Sequence, residues 1–314
     1  MKLLSFNMDG AMDDYIRPEE SAYSVKTNRI VTLLFALLSI LCFLPVLLVF
    51  IVSFSSQQSV TEEGYSFFPD SFSLEAYRYL FASGAYLARA FVNSVLITVL
   101  ATVLGLILMC PMAYSLSRKE YRFRNALLVF IMIPMLFSGG LVSNYVVYTQ
   151  IFHLKNTYIA LIVPGLCSTW YILIMRNYFM DSVSDSLIEA ARLDGCGHFK
   201  ILTRIVLPIS RPVIMTVAVF QIFLYWNSWY PSLLYIDSNH TELYPLQYVL
   251  VNMNRSIDTI TRDAQYFSGM QSYTPPAVTI RMAMVVVVIL PVMLLFPFFQ
   301  RFLKTGLAVG SVKG

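Results

Sequence analysis

The chain has 314 residues, of which 57% are apolar and only 13% are charged, and its mean hydropathy is +0.66. Soluble domains carry about 25% charged residues, so this composition excludes an ordinary soluble protein and indicates a chain surrounded by lipid. The net charge is +4, but the basic residues do not form a cluster interleaved with aromatic residues. The four cysteines lack metal-ligand spacing. Neither nucleic acid nor a bound metal or cofactor is therefore predicted.

Six apolar stretches are long enough to cross a bilayer as α-helices. A spanning helix needs roughly 20 mostly apolar residues, because each residue advances the helix by about 1.5 Å and the hydrocarbon core is about 30 Å thick. The sequence predicts an all-α integral membrane protein with six transmembrane helices. They are residues 30–54, 90–116, 126–148, 158–177, 212–236 and 280–301. No internal repeat or separate soluble domain is visible, so residues 30–301 are predicted to form one membrane domain.

The positions of lysine and arginine indicate the orientation of these spans, because cytoplasmic segments of membrane proteins are enriched in both residues. Sixteen of the 22 basic residues fall in alternate segments or at the span edges beside them, and six fall in the other segments. The basic segments are residues 1–29, 117–125, 178–211 and 302–314. Both termini are therefore predicted to be cytoplasmic, with an N-terminal segment, a C-terminal tail and a loop at 178–211 on the same side.

Two segments on the predicted outer side are long enough to hold structure. Within segment 55–89, residues 74–81 have the pattern of a short interfacial helix. Segment 237–279 contains an amphipathic stripe, which can cap the outer mouth, bind a partner or pack against the protein's own spans. The stripe consists of Leu243, Leu246, Val249, Leu250 and Met253.

The cytoplasmic loop 178–211 has the sequence of two short helices joined by a glycine turn. Ser184 is placed to cap the first helix, and Asp185 lies at the positive end of its dipole. Gly195 and Gly197 permit the tight reversal that separates the two helices.

The second short helix is predicted to present Phe199, Leu202 and Val206 on one face. Pro208 and Pro212 are expected to end it before the next span, because proline cannot continue the hydrogen-bond pattern of a helix. A loop with this much local structure is predicted to project as a small rigid body, which suits contact with a soluble partner.

The same loop resembles the EAA motif of ABC importer permeases. That motif reads Glu-Ala-Ala, three residues, Gly, nine residues, and then Ile-x-Leu-Pro. Every specified position is matched without a gap, and the loop precedes the penultimate span, as in the family. The matching residues are Glu189, Ala190, Ala191, Gly195, Ile205, Leu207 and Pro208. We call loop 178–211 the coupling loop.

Three further segments resemble the carbohydrate-type permeases of this class, on the side similar to the second maltose-type subunit. They are residues 72–77 with the following Asn93-Ser94, the run Trp226-Asn227-Ser228-Trp229, and the C-terminal residues 306–314. The resemblance covers most of the chain but not residues 1–29, which have no assigned role. It implies the architecture of a type I ABC importer permease and a carbohydrate as cargo. The aromatic fifth span and the long outer segments suit an oligosaccharide.

The resemblance also implies a transporter made of several chains in a bacterial inner membrane. The implied partners are a second homologous permease, two cytoplasmic ATPases that carry ATP and Mg, and an extracytoplasmic solute-binding protein. This chain has no Gly-x-x-x-x-Gly-Lys-Ser/Thr loop, so it is expected to be a non-catalytic subunit. The implied ATPase contacts are Glu189, Ala190, Ala191, Asp194, Gly195, Phe199, Ile205, Leu207 and Pro208.

Candidate residues of the substrate path are aromatic and amide side chains within the predicted spans. Aromatic rings stack on the apolar faces of sugars, amides bond sugar hydroxyls, and polar groups in a membrane usually face the bundle interior. The candidates are Gln221, Tyr225, Trp226, Asn227 and Trp229 in the fifth span, with Asn144 and Tyr145 in the third. Trp229, near the outer end, fits an interfacial aromatic belt equally well.

Two other classes of transporter are the alternatives. One is an ABC permease for another solute, such as a peptide or a polyamine, and the other is a secondary transporter that works alone. Secondary transporters commonly carry ionisable residues in mid-span, whereas the six stretches here are almost free of charge. A membrane enzyme would need a cluster of ligands or nucleophiles, which the sequence does not contain.

Overall fold

The computed structural model describes residues 25–82, 84–266 and 277–308. Within these ranges all regular secondary structure is helical, apart from one isolated antiparallel bridge between Ser55 and Phe72. The all-α prediction is confirmed. The helices are α1 (Val25–Ser53), α2 (Gln57–Glu63), α3 (Glu75–Phe81), α4 (Gly84–Ser117), α5 (Arg124–Leu136), α6 (Gly140–Val146), α7 (Tyr158–Ile162), α8 (Thr169–Ser182), α9 (Asp185–Leu193), α10 (His198–Ile201), α11 (Arg211–Trp226), α12 (Tyr230–Tyr235), α13 (Leu246–Tyr266) and α14 (Ala277–Ala308).

Short turns of other helix types extend three of these helices. A π turn at Val147–Ile151 continues α6, and a 3-10 turn at Val163–Gly165 continues α7. A π turn at Leu202–Val206 and the short helix Leu207–Ile209 continue α10. The chain therefore runs as one bent helical rod from α10 into α11.

Three helices among the described residues are long and apolar enough to cross a membrane on their own. They are α1, α4 and α14, with spanning parts at Lys26–Ser53, Gly84–Ser117 and Ala277–Pro297. Helix α4 has 34 residues. At about 1.5 Å per residue it is about 51 Å long, so it extends past a hydrocarbon core of about 30 Å.

Three further helix pairs are long and apolar enough only when their two members are taken together. They are Arg124–Leu136 with Gly140–Ile151, bent by 114°, Tyr158–Gly165 with Thr169–Ser182, bent by 51°, and His198–Ile209 with Arg211–Trp226, bent by 82°. Pro134 and Pro164 predict interruptions in the spans 126–148 and 158–177, and the structure breaks both. Pro164 explains the second break, because it lacks the N–H that would continue α7.

The predicted fifth span, 212–236, is also interrupted. Helix α11 ends at Trp226, and the separate short helix α12 begins at Tyr230. Pro231 lies in the first turn of α12, so it cannot donate a hydrogen bond that would join the two helices. The predicted boundaries at the chain ends also differ, because α1 begins at Val25 and α14 continues to Ala308.

Helix α4 lies at the centre of the bundle, where it packs along both α8 and α11. Helix α14 packs against α1 and α11. Ala101, Gly105 and Ala113 of α4 are buried at these crossings. Small residues let helix backbones approach closely, which is how helices associate within a bilayer.

The buried residues form two clusters at opposite halves of α4. One cluster joins the first half of α4 to α3, α7, α11, α13 and α14. The other joins the second half of α4 to α8 and to the coupling loop. The coupling loop is therefore part of a packed core rather than a loose connection.

The structure decides between the alternatives for the predicted outer segments. Helix α3 confirms the short helix predicted at 74–81. In α13, the side chains of Leu246, Val249 and Leu250 are buried, and Leu243 and Met253 pack against the same cluster. The amphipathic stripe thus packs against the protein's own helices. Residues 1–24, 267–276 and 309–314 of the predicted segments lie outside the described residues.

Candidate functional site

The first half of the coupling loop is helix α9, which is capped at both ends. The Ser184 side chain accepts a hydrogen bond from a main-chain N–H of the first turn at 3.4 Å, as the sequence predicts. At the other end, the N–H of Gly195 donates to the carbonyl of Arg192, and the N–H of Cys196 donates to the carbonyl of Ala191, both at 2.9 Å. Gly195 has a φ of +77°, a conformation that costs glycine nothing.

The turn of the coupling loop depends on Gly195 and not on Gly197. Gly197 has an extended backbone, with φ −71° and ψ 161°, and it stands at the N-terminal cap of α10. The prediction that both glycines reverse the chain is therefore correct for Gly195 and wrong for Gly197. One left-handed residue suffices to turn the chain, and the residue before a helix normally has an extended conformation.

One face of the coupling loop is buried in the chain's own core. Its buried side chains are Ile188 and Ala191 of α9 and Ile201, Leu202 and Val206 of the helix that follows. Burial of a large apolar side chain stabilises a fold by about 1.5–3 kcal/mol, so several together hold the loop firmly. The coupling loop is therefore packed as part of the bundle.

The opposite face of the coupling loop is exposed. Glu189, Ala190, Asp194 and Gly195 lie on this face. The side chain of Leu193 is 89% exposed. A large apolar group in this position, at the end of a helix packed on the bundle, is a candidate contact for another protein.

Phe199 does not share a face with Leu202 and Val206, contrary to the prediction. It is 78% exposed, whereas Leu202 and Val206 are buried and Ile201 takes the position expected for Phe199. The π turn at Leu202–Val206 closes with longer hydrogen-bonded rings than an α-helix, so the 3.6-residue spacing used for the prediction does not apply there. Of the remaining motif residues, Ile205 and Leu207 are half-buried and Pro208 is exposed.

Leu193 is a candidate contact that the sequence analysis missed. It lies four residues after Glu189 and three after Ala190, and side chains at these spacings share one face of an α-helix. A leucine on the face opposite to the buried Ile188 was the available signal. Together with Phe199, it forms the apolar tip of the coupling loop.

Arg118, just after α4, fastens the coupling loop to the bundle. It is only 5% exposed, and its Nε donates to the hydroxyl of Ser117 at 2.9 Å. Its Nη2 donates to the carbonyl of Phe179 at 3.2 Å, and its Nη1 lies 3.6 Å from the carboxylate of Asp185. A second ion pair joins Arg192 and Glu120 at 3.4 Å.

A cavity of about 470 Å³ lies between the coupling loop and the end of α4. Its lining includes Tyr114, Arg118, Arg192, His198 and Phe199. Aromatic rings and guanidinium groups together can accept an aromatic or an acidic side chain from another protein. The cavity therefore adds a recess beside the apolar tip.

Three of the predicted path residues are buried and bonded to main-chain oxygens. Gln221 is fully buried, and its Nε2 donates to the carbonyl of Leu166 at 3.1 Å. The hydroxyl of Tyr225 donates to the carbonyl of Ile162. The indole N–H of Trp226 donates to the carbonyl of Val288 at 3.1 Å. Each of these three side chains thus donates one hydrogen bond within the chain.

The other four predicted path residues are accessible. Asn144 and Asn227 are exposed, and Tyr145 and Trp229 are half-buried. Tyr145 stacks on Tyr235, with ring centroids 6.1 Å apart. The guanidinium carbon of the exposed Arg255 lies 5.7 Å from the ring centre of Trp229.

A polar cluster joins the loop before α7 to the loop after α12. The main-chain N–H of Asp237 donates to Asn156 Oδ1 at 2.8 Å, and Asn156 Nδ2 donates to the Asp237 carboxylate at 2.9 Å. Lys155 Nζ lies 2.9 Å from the same carboxylate. The pKa of Asp237 is lowered, first by the hydrogen bond from Asn156 and then by Lys155. This cluster holds the loops at the ends of the third and fifth predicted spans together.

Comparisons with known proteins agree with this architecture. The family described as "Binding-protein-dependent transport system inner membrane component" matches residues 101–309. In Bacillus subtilis, Protein LplC is 36% identical over 86% of this chain and 89% of its own length. The B. subtilis polygalacturonan/rhamnogalacturonan transport system permease protein YtcP is 36% identical over 90% of this chain and 95% of its own length. A chain of a bacterial ABC transporter that imports the acidic polysaccharide alginate superposes with a TM-score of 0.73 and 25% identity, over 89% of this chain and 98% of that one. This chain is a multi-pass membrane protein that belongs to the family of inner membrane components of binding-protein-dependent transport systems.

Proposed function

We propose that this chain is one of two homologous permease subunits of an ATP-driven importer for an oligosaccharide. Six spans cross a bacterial inner membrane, and both termini are cytoplasmic. Two ATPases carry ATP and Mg on the cytoplasmic side, and a solute-binding protein delivers the cargo on the other side. The excess of lysine and arginine in segments 1–29, 117–125, 178–211 and 302–314 supports this orientation.

The observation that carries the proposal is the two-sided coupling loop. One face is fixed in the core of the bundle, while Leu193 and Phe199 project from the other with exposures of 89% and 78%. This tip inserts into a groove of the ATPase, with Glu189 as a polar contact, and the neighbouring cavity accepts a side chain of the ATPase. ATP-driven closure of the ATPase pair then moves the loop and the helices packed on it.

The cargo is an oligosaccharide that contains uronic acid. The relative YtcP is named for polygalacturonan and rhamnogalacturonan, and the structural neighbour imports alginate. In this chain, Arg255 beside Trp229 combines a positive charge with an aromatic face, which suits a sugar ring that carries a carboxylate. Asn227, Tyr145 and Asn144 line the path further along, and the buried Gln221, Tyr225 and Trp226 support its wall.

The test of this function is assembly and transport by the complete transporter. A tagged copy of this chain, purified from membranes of its own cell, is expected to bring with it a second permease and an ATPase. Recovery of the chain without a second permease or an ATPase would contradict the importer proposal and favour a transporter that works by itself.

Two variants test the coupling role. Gly195→Asp places a side chain at a residue with a φ of +77°, and Glu189→Lys reverses an exposed charge at the loop's tip. Both proteins are expected to insert into the membrane. ATP hydrolysis without uptake is the expected result, and normal uptake by both would exclude the proposed role.

The cargo class is tested with two labelled probes, trigalacturonate and the neutral maltotriose. Proteoliposomes that contain the transporter and its solute-binding protein should accumulate trigalacturonate in an ATP-dependent manner. Equal accumulation of both probes, or of maltotriose alone, would refute the uronate preference while it leaves the importer assignment intact.

A further inference from the structure

The break between α7 and α8 leaves main-chain carbonyls without their usual helical donors. Pro164 has no N–H to donate. The N–H of Leu166 bonds to the carbonyl of Val163 and not to that of Ile162, which is the acceptor in a regular helix. A carbonyl left without a donor inside a membrane is costly, because lipid cannot replace the missing hydrogen bond.

Helix α11 supplies donors to this break. The Tyr225 hydroxyl donates to the carbonyl of Ile162, and Gln221 Nε2 donates to the carbonyl of Leu166 at 3.1 Å. The two donors are four residues apart and so lie on the same face of α11, one turn from each other. Tyr225 is 5% exposed and Gln221 is fully buried, so neither bond competes with water.

Two glycines make the close approach possible. A Cβ atom at Gly105 of α4 would lie 2.7 Å from the carbonyl oxygen of Leu166 and 2.9 Å from Gln221 Nε2. A Cβ atom at Gly165 would lie 3.0 Å from the Tyr225 hydroxyl oxygen. These distances are shorter than ordinary van der Waals contacts, so α4, α11 and the break meet where side chains are absent.

The break and α11 are connected in another way, through the coupling loop. Helix α8 leads into the loop at Asp185, and α11 leaves it after the 82° bend that follows Ile209. We propose that Gln221 and Tyr225 are positioning residues that tie the break to α11, so that α7 and α11 move as one body when the coupling loop moves. This role rests on the proposed function as a permease driven through that loop.

Without the tie, the break would act as a hinge between α7 and α8. Breaks with few hydrogen bonds absorb rotation, whereas a break held by side chains transmits it. The motion that the ATPases impose on α8 would then be lost at the break before it reached α7. Transport would fall although ATP hydrolysis continued.

The experiment measures the distance between α7 and α11 in the complete transporter. Nitroxide labels are placed at the exposed Ile159 and Leu224 in a background in which the four cysteines are replaced. Pulsed electron paramagnetic resonance then gives distance distributions without nucleotide and after trapping with ATP and vanadate. The unmodified helices should show one narrow distribution that is the same in both states.

Tyr225→Phe and Gln221→Met each remove a donor and keep most of the side-chain volume. The double variant is expected to broaden the distribution without nucleotide and to shift it after trapping. Uptake of trigalacturonate per ATP hydrolysed should fall several-fold, while the ATPase rate stays within about twofold. Tyr171→Phe is the matched control, because Tyr171 stacks on Phe220 of the same α11 and its hydroxyl makes no hydrogen bond among the described residues.

Two results would overturn the proposal. One is a distance distribution in the double variant that equals that of the unsubstituted protein. The other is a shift on trapping with ATP and vanadate that is as large in the unsubstituted protein as in the double variant. A purely structural role would lower the melting temperature and leave the label distances alone. Failure of the ATPases to co-purify would instead overturn the proposed function, and the nucleotide-free distributions would still decide on the tie.

Discussion

The guanidinium Nη2 of Arg118 donates a hydrogen bond to the main-chain oxygen of Phe179 at 3.2 Å, and this bond joins the end of α4 to the last turn of α8. The same side chain reaches the first residue of the coupling loop's helix, Asp185, at 3.6 Å. A single buried cation thus connects α4 and α8 with the coupling loop. The motif of the coupling loop does not include it.

Replacement of Arg118 by Gln should destabilise the protein. The buried oxygen of Phe179 would lose a charged donor, and such bonds contribute about 1.5–3 kcal/mol. Lys119→Gln is the control, because Lys119 is 71% exposed and its ion pair with Asp185 should contribute less than about 1 kcal/mol. Thermal unfolding in detergent measures both. Equal losses in the two variants would contradict the anchoring role of Arg118.

Gly195→Ala should cost about 1–2 kcal/mol of stability, because only the backbone conformation at φ +77° opposes the added methyl group. No atom lies within 4 Å of the position that the methyl group would occupy. Gly197→Ala is the matched control, since it has the same free space and a φ of −71°. It should change the free energy of unfolding by less than about 0.5 kcal/mol. Denaturant titration measures the free energy of unfolding of both variants. Equal losses of stability would contradict the role of the left-handed conformation at Gly195.

Leu193→Ser and Phe199→Ser should weaken binding of the ATPase and leave the permease stable. Each removes an exposed apolar group whose burial in a partner is worth about 1.5–3 kcal/mol, which corresponds to a dissociation constant raised about 10- to 100-fold. Ile209→Ser serves as the control, because Ile209 is 40% exposed but lies after the motif, at the far end of the coupling loop. Binding of the purified ATPase to the permease in nanodiscs gives the three affinities. A loss in the control as large as in the other two would argue against a specific tip.

Arg255→Gln should raise the concentration of trigalacturonate needed for half-maximal uptake and leave maltotriose unaffected. The variant removes the positive charge beside Trp229 and retains a polar side chain. Loss of one exposed ion pair with a carboxylate corresponds to up to about 1 kcal/mol, or about fivefold. Arg78→Gln is the control, because Arg78 is another basic residue on the predicted outer side. An identical effect on both sugars would show that Arg255 does not read the carboxylate.

Asn227→Ala is expected to reduce uptake by a loss of contact with sugar, because its side chain is exposed. Trp226→Ala is expected to reduce it through stability, because Trp226 is buried and bonded to Val288. Removal of a buried tryptophan costs about 3–5 kcal/mol. Uptake kinetics and melting temperature, measured together, separate the two causes. Unaltered uptake in both variants would remove the fifth predicted span from the path.

The contribution of Asp237 to stability should persist into acid. Its folded pKa lies below the ordinary value of 3.8, so the carboxylate contributes stability above pH 3.8 and loses it as the pH falls through the folded pKa. The difference in unfolding free energy between the protein and Asp237→Asn should therefore be constant from pH 8 to about 5 and shrink below 3.8. Unfolding at pH 7, 5 and 3 measures it. A difference that already disappears near pH 6 would mean that the bond from Asn156 does not form.

The sequence predicted the elements whose signals are local. The caps at Ser184 and Gly195 follow from hydrogen bonds within a few residues, and the helix at 74–81 and the motif of the coupling loop needed no knowledge of neighbours. The positions of Gln221 and Tyr225 could not be predicted in this way. Their polar groups suggested contact with cargo, but which acceptor they meet depends on how α11 packs against the break in a distant span.

The breaks in the spans were only partly predictable. Prolines mark several of the apolar stretches, and a proline kinks one helix while it is accommodated within another, as Pro111 is inside α4. The outward position of Phe199 depends on a π turn, which no residue pattern in the loop signals. The roles of Arg118 and Leu193 could not be predicted, because a single arginine or leucine forms no sequence pattern and its role depends on its neighbours in the fold.

The 114° bend between α5 and α6 bears on how the transporter is made in the cell. The chain at Phe137–Gly139 is exposed and lies midway along an apolar stretch, so its peptide groups would face hydrocarbon if the subunit stayed alone. Lipid tolerates such backbone only under a cover of protein or beside water. An orphan copy is therefore expected to be recognised and degraded by membrane proteases, and its lifetime should lengthen when its companion subunit is synthesised with it.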